Sequence, residues 1–226
     1  MHIEPGVVDG AKLAISYLTA AGAIGYAVKS SLSTAREDGI TPLAARSVIS
    51  TLLVFCFFQV LPHFPVGVSE VHFILGATLF MMFGAGAAAI GLAMGLLTQG
   101  VFFAPADLPQ YGMNVTSILV PLLIVQTVAR RIIPAKTAYK DISYKQACLL
   151  STAYQGGVIA WVAFWAFYGQ GFGAANIANV FSFGAAYALV IVVEPLLDMA
   201  ILGAAKSLHQ LSQSKAFNPR LYREAA

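Results

Sequence analysis

Residues 70–103 read EVHFILGATLFMMFGAGAAAIGLAMGLLTQGVFF, and how this run is divided decides the fold. As one helix rising 1.5 Å per residue it would reach roughly 50 Å. The hydrocarbon core of a bilayer is only ~30 Å thick. Gly84 and Gly86 are the natural break, because glycine weakens a helix interior and frees the backbone to turn. The division predicts helices over 70–82 and 85–103, the first of them short and not fully spanning.

Working outward, the rest of the chain has the same character. Its 226 residues are 58% hydrophobic and 10% charged, with a mean hydropathy of +0.76. A soluble domain carries about 25% charged residues, so this chain lacks the polar surface to face water and belongs in a lipid bilayer. Further apolar runs predict helices near 11–29, 42–61, 115–133, 145–168 and 178–205. The expected architecture is an all-α, multi-pass bundle of about seven helices. Residues 1–206 form one membrane domain, followed by a polar tail over 207–226. Ala23 and Ala27 lie four apart, the spacing that lets helix backbones approach in lipid, either within the chain or against another subunit. Cys56 and Cys148 show neither a disulfide nor a zinc spacing.

Charge distribution sets the expected orientation. With the N-terminus outside and seven crossings, twelve of the thirteen basic residues fall on the inner side. These are Lys29, Arg36, Arg46, Arg130, Arg131, Lys136, Lys140, Lys145, Lys206, Lys215, Arg220 and Arg223; only Lys12 is outside. That is the positive-inside bias, and it places the C-terminus in the cytoplasm. Residues 12–23 contain a short apolar run ending in small residues, but Glu4 and Asp9 precede it and no base does before Lys12. A cleaved leader has a basic n-region, so His2 is expected to persist.

This topology gathers His2, His63 and His72 at one face and leaves His209 at the other. Neutral imidazole is the commonest protein metal ligand. Position two gives His2 an added capacity. The terminal amine of Met1 offers one nitrogen, the peptide nitrogen of His2 a second and its imidazole a third, closing a five- and a six-membered chelate ring. A fourth nitrogen from His63 or His72 would complete a square, the geometry that favours Ni(II) or Cu(II) over zinc. Taken singly, His63 reads as a loop residue and His72 as an interfacial residue at a helix start.

Other polar residues are weighed beside these. Glu194 and Asp198 lie one turn apart in the last helix, where carboxylates usually pair within the bundle. They are expected near its inner end, away from the histidines, in a structural or coupling role. Asn114, which also heads an N-V-T sequon, is a candidate to orient a ligand. The chain has no phosphate-binding loop and no H-E-x-x-H, and no basic-aromatic patch points to nucleic acid.

Three pieces of sequence now identify a resemblance. Met1, His2, Ile3 and Gly6 form an M-H-I-x-x-G start. Ser69 and His72 form S-x-x-H ahead of a Gly/Ala-rich helix containing Gly76 and Gly84. Gln99 in LLTQGVFF and Gly112 with Asn114 in YGMN follow. The chain resembles the CbiM/NikM family, the substrate-binding S components of cobalt and nickel energy-coupling factor (ECF) transporters. The resemblance implies metal ligands at Met1, His2 and His72, choosing His72 over His63. It also implies that Ser69 and Asn114 stand behind those ligands, that Glu194 sits on a late helix, and that the cargo is Co2+ or Ni2+ with no organic cofactor. The implied partners are a transmembrane coupling protein, ATP-binding subunits and a small accessory membrane subunit, all in the inner membrane. Where the family has a proline-containing stretch after Gly6 this chain has VVDGAK, and APADLPQ stands before YGMN in place of a glycine-rich loop. Both are expected to be outer loops over the site. The rival expectations are a membrane-embedded metal enzyme and a structural subunit without a ligand; the nitrogen square leaves few open positions for catalysis.

Overall fold

The computed structural model describes residues 2–213, with side chains as far as His209. Met1 and residues 214–226, most of the expected polar tail, lie outside the described residues. A single 3-10 turn, Gly10–Lys12, leads into α1 (Leu13–Asp38) and α2 (Ile40–Gln59). A hairpin of β1 (Phe64–Val66) and β2 (Ser69–Val71) precedes α3 (Gly76–Phe102). A 3-10 segment, Pro105–Gln110, then leads into α4 (Tyr111–Ile132), followed by α5 (Tyr144–Gln170) and α6 (Ala174–Gln213). All six α-helices are long and apolar enough to cross a membrane. The protein is a multi-pass helical membrane bundle.

The run that opened the sequence is divided at Gly84. This residue leaves the helical region (φ 83°, ψ 165°), so α3 is two helical pieces, Gly76–Phe83 and Ala85–Phe102. Where these pieces lie follows from their neighbours. Phe58, near the end of α2, faces the ring of His2 at 6.5 Å, so the start of α2, about 30 Å away, marks the opposite end of the bundle. Phe83 and Gly84 reach that far end, lining a cavity with Lys29, Asp38, Arg46 and Arg130. By Gln99 the chain is back, its Nε2 donating to Gln59 Oε1 at 3.4 Å.

The expected helix over 70–82 is corrected. Residues 69–71 are strand β2, residues 72–75 are non-helical, and the helix begins only at Gly76. The physical reason is that the backbone groups of this stretch find partners outside a helix. Ser69 and Glu70 pair with Val66 and Pro65 of β1, and Leu75 takes a left-handed conformation (φ 52°, ψ 32°) at the helix start. The hairpin turns at Gly67 (φ 63°), the first central residue of a two-residue loop, where glycine is favoured. The same glycine lets the turn lie on α6: a Cβ there would meet the backbone of Asn179, its carbonyl carbon at 3.0 Å. α1 runs nine residues past its expected end near 29 because helical hydrogen bonding continues through polar residues to Gly39.

Small residues bring the helices together as their spacing suggested. Ala23 and Ala27 are buried within the chain, sharing a seam with Ala85 and Ala89 of α3. Gly91 and Gly95 of α3 lie against α2: a Cβ on Gly91 would sit 2.9 Å from the carbonyl carbon of Ser50, and one on Gly95 would sit 2.6 Å from Val54 Cγ1. Outward, Leu18, Leu189 and Val192 are exposed, as lipid-facing residues of a bundle should be. Gly91→Leu should overpack this seam and cost roughly 1–3 kcal/mol. The expected result is a lowered unfolding temperature in detergent; an unchanged temperature would refute the close α2–α3 approach.

Candidate metal centre

The site is built where the start of the chain is stitched into the hairpin. Ile3 forms an antiparallel bridge with Ser69 of β2. The carbonyl of His2 accepts from Glu70 N–H at 2.9 Å and from Ser69 Oγ at 2.8 Å. The N–H of Ile3 donates to Asn114 Oδ1 on α4 at 2.8 Å, and Glu4 N–H donates to the carbonyl of Val68 at 3.1 Å. Ser69 and Asn114 are themselves buried. Asn114 therefore serves the interior rather than standing at the surface as a sequon requires.

With its backbone so fixed, His2 is only 3% exposed, and His72 is 1% exposed. Their rings meet edge-on with centroids 5.6 Å apart. Phe58 closes one side, 5.2 Å from His72. One donor atom each from His2, Glu70 and His72 lie within 4.8 Å of one another. His72 Nε2 contacts Glu70 Oε2 at 2.8 Å, the tautomer with the proton on Nε2 donating to the carboxylate and leaving the lone pair on Nδ1. That Nδ1 and both ring nitrogens of His2 are buried without a hydrogen-bond partner among the described residues. His2 Nδ1 does lie 3.1 Å from Asp107 Oδ2, in the 3-10 segment that caps the site. Buried imidazole nitrogens without partners are uncommon; His2 Nε2 and His72 Nδ1 are two of them among the described residues, and with His2 Nδ1 they make a nitrogen-rich pocket.

Electrostatics favour the ligating form of the His2 ring. Burial, above all, lowers its pKa, with the terminal amine assisting and Asp107 and Glu70 opposing. A neutral imidazole has a lone pair to offer a cation. Burial, and then the negative charges of Glu70 and Asp107, push the Glu4 carboxyl up.

The structure brings together His2, His72, Ser69 and Asn114 as sequence-derived candidates, while Met1 lies outside the described residues. His63 is near but arranged differently: it stacks on the outer face of His72 with centroids 4.8 Å apart and turns Nδ1 toward the carbonyl of Leu61 at 3.1 Å. Glu194 corrects an expectation. It is not remote from the histidines, because its carboxylate accepts from the N–H groups of Ile74 and Leu75, two and three residues after His72. Asp198, one turn on, accepts from Thr78 Oγ1. Two site residues were missed. Glu70 and Asp107 read in the sequence only as outer acidic residues, and nothing in their local pattern shows that they meet His72 and His2.

Residues 2–210 match CbiM, the family described as the cobalt uptake substrate-specific transmembrane region. A solved structure described as a truncated transition metal transporter is similar, with 15% identity, a TM-score of 0.68 and coverage of 94% of this chain and 99% of that one. A second, described as a transition metal transporter, gives 15% identity, a TM-score of 0.67 and coverage of 99% of each chain. Among curated proteins no match is found. At this identity the two structures establish a shared fold.

Removing either anchor of the chain start should loosen it. Asn114→Ala and Ser69→Ala each delete one buried hydrogen bond to residues 2–3, a loss worth about tenfold in the local opening equilibrium. Hydrogen–deuterium exchange of the N-terminal peptide should accelerate accordingly; exchange as slow as in the wild type would refute the anchoring.

Proposed function

We propose, from the premise that the chain belongs to the CbiM family of cobalt uptake substrate-specific transmembrane proteins, that it is the metal-capturing subunit of an ECF-type importer for Co2+ or Ni2+. It is a membrane component of transition-metal uptake. The observation that carries the finer reading is the burial of His2 Nε2 and His72 Nδ1, which have no hydrogen-bond partner among the described residues, beside the start of the chain. The ligands are the terminal amine of Met1, the amide nitrogen and imidazole of His2, and the imidazole of His72. The bonds that anchor the chain start engage the His2 carbonyl and the Ile3 N–H; none of them uses the His2 amide nitrogen. Ser69 and Asn114 hold that backbone in position, and His63 backs the ring of His72 instead of joining the square.

A planar set of four nitrogens suits a d-electron metal such as Ni(II) and disfavours the oxygen-seeking Mg2+ and Ca2+. Glu4, Glu70 and Asp107 draw the cation toward the histidines. The metal is cargo, and no organic cofactor is required. The basic residues gathered near the far end of the bundle favour an N-out, C-in orientation, with the short Gly76–Phe83 piece and the extended 72–75 segment together making a third of seven passages. Capture then takes place on the outer side of the inner membrane. The chain carries no phosphate-binding loop, so ATP hydrolysis falls to ATP-binding subunits acting through a transmembrane coupling protein, with a small accessory membrane subunit.

Calorimetric titration of tag-free protein tests this reading. The wild type should bind Ni(II) or Co(II), and His2→Ala and His72→Ala should each weaken binding on the order of 100-fold, or about 2.8 kcal/mol. His63→Ala should stay within about threefold. Residues added ahead of Met1 should abolish binding by converting the amine to an amide. Unchanged affinity in His2→Ala, or in the extended chain, would sink the terminal site.

A further inference from the structure

Glu194 is fully buried on α6 and takes no part in the proposed ligand set. Its carboxylate accepts from Ile74 N–H, from Leu75 N–H at 3.0 Å and from Gln155 Nε2 of α5. Gln155 is oriented in turn, its Oε1 accepting from Tyr187 OH at 2.8 Å. One helix thus reaches across to grip the connection that leads from His72 into α3.

The grip answers a local need. The first N–H groups of a helix have no partner within it, and α3 carries no side-chain cap from its own residues. Leu75 holds a left-handed conformation that a branched or bulky residue rarely adopts without support. Within a membrane, water does not stand in for the missing acceptors, so irregular backbone there must be satisfied by protein groups. A carboxylate with two oxygens accepts from both consecutive N–H groups and still receives Gln155.

We propose that Glu194 is a positioning residue of the metal centre. By clamping Ile74 and Leu75 it fixes the backbone on the α3 side of His72, and so the placement of that ring against His2, while Glu70 holds the ring from the β2 side. The proposal rests on the reading above that His72 is a ligand. It differs from simple bundle packing because Asp198, equally buried one turn away, bonds Thr78 inside α3 and not the segment next to His72. Asp198 therefore provides the control.

The test is titration of the tag-free full chain in detergent with Ni(II) and with Cu(II), the latter read by electron paramagnetic resonance. Glu194→Gln keeps the size of the side chain but turns one acceptor into a donor, which must then face an N–H. It should weaken metal binding about 10- to 100-fold, the usual effect of losing support behind a ligand, and should alter the nitrogen couplings in the Cu(II) spectrum. Tyr187→Phe, which only frees Gln155, should weaken binding less than Glu194→Gln does. Asp198→Asn should keep wild-type affinity and spectrum even where it lowers the unfolding temperature. Wild-type affinity and spectrum in Glu194→Gln would overturn the proposal, as would an equal loss in Asp198→Asn. Should Glu194→Gln fail to fold, unchanged binding in Tyr187→Phe overturns it and weakened binding supports it. Failure of the wild type to bind either metal overturns the underlying reading of the site, and is distinguished by that fact.

Discussion

The candidate metal centre depends on the pairing of the second and third residues with β2. Chain ends ordinarily fray. Here the His2 carbonyl takes two hydrogen bonds, from Glu70 N–H and Ser69 Oγ, and the Ile3 N–H gives one to Asn114. Release of these bonds would return His2 to solvent and leave its imidazole no reason to face His72. The hairpin exists to provide this edge: its strands are three residues each, too short to be stable alone, and they persist because Gly67 seats the turn on α6 and Ile3 extends the ladder.

A second constraint meets the first from the opposite direction. The segment from His72 to Leu75 is neither strand nor helix, yet it lies within a helical bundle where backbone groups need protein partners. Glu194 supplies them. An intramembrane carboxylate is costly, and its presence is explained by two consecutive backbone donors and Gln155 converging on it. His72 is thereby flanked by Glu70, bonded to its ring, and by Ile74 and Leu75, bonded to Glu194 of α6, the kind of support proposed above to keep it in register.

The helices were legible in the sequence, and so was the break at Gly84, because length against bilayer thickness and the freedom of glycine are local properties. The pairing of His2 with His72 was also legible in part: charge asymmetry put them at one face, and the M-H start singled out the terminus. The strand at 69–71 was not. Three residues following a two-residue turn carry no periodicity that separates them from the apolar run they precede, so the helix was expected six residues early. Glu70 and Asp107 were hidden for a related reason. Each is an ordinary outer acidic residue until the hairpin and the 3-10 segment turn it toward a histidine.

By itself the sequence determined a helical membrane protein and the division of its longest apolar run, and it placed a histidine at position two, since hydropathy and covalent order act along the chain. Only the tertiary structure decided which groups surround that histidine. The bonds that matter most join residues far apart in sequence, Ile3 to Asn114, His2 to Ser69 and Ile74 to Glu194. Each arises because a buried polar group without water must find whatever partner the packed helices bring within reach.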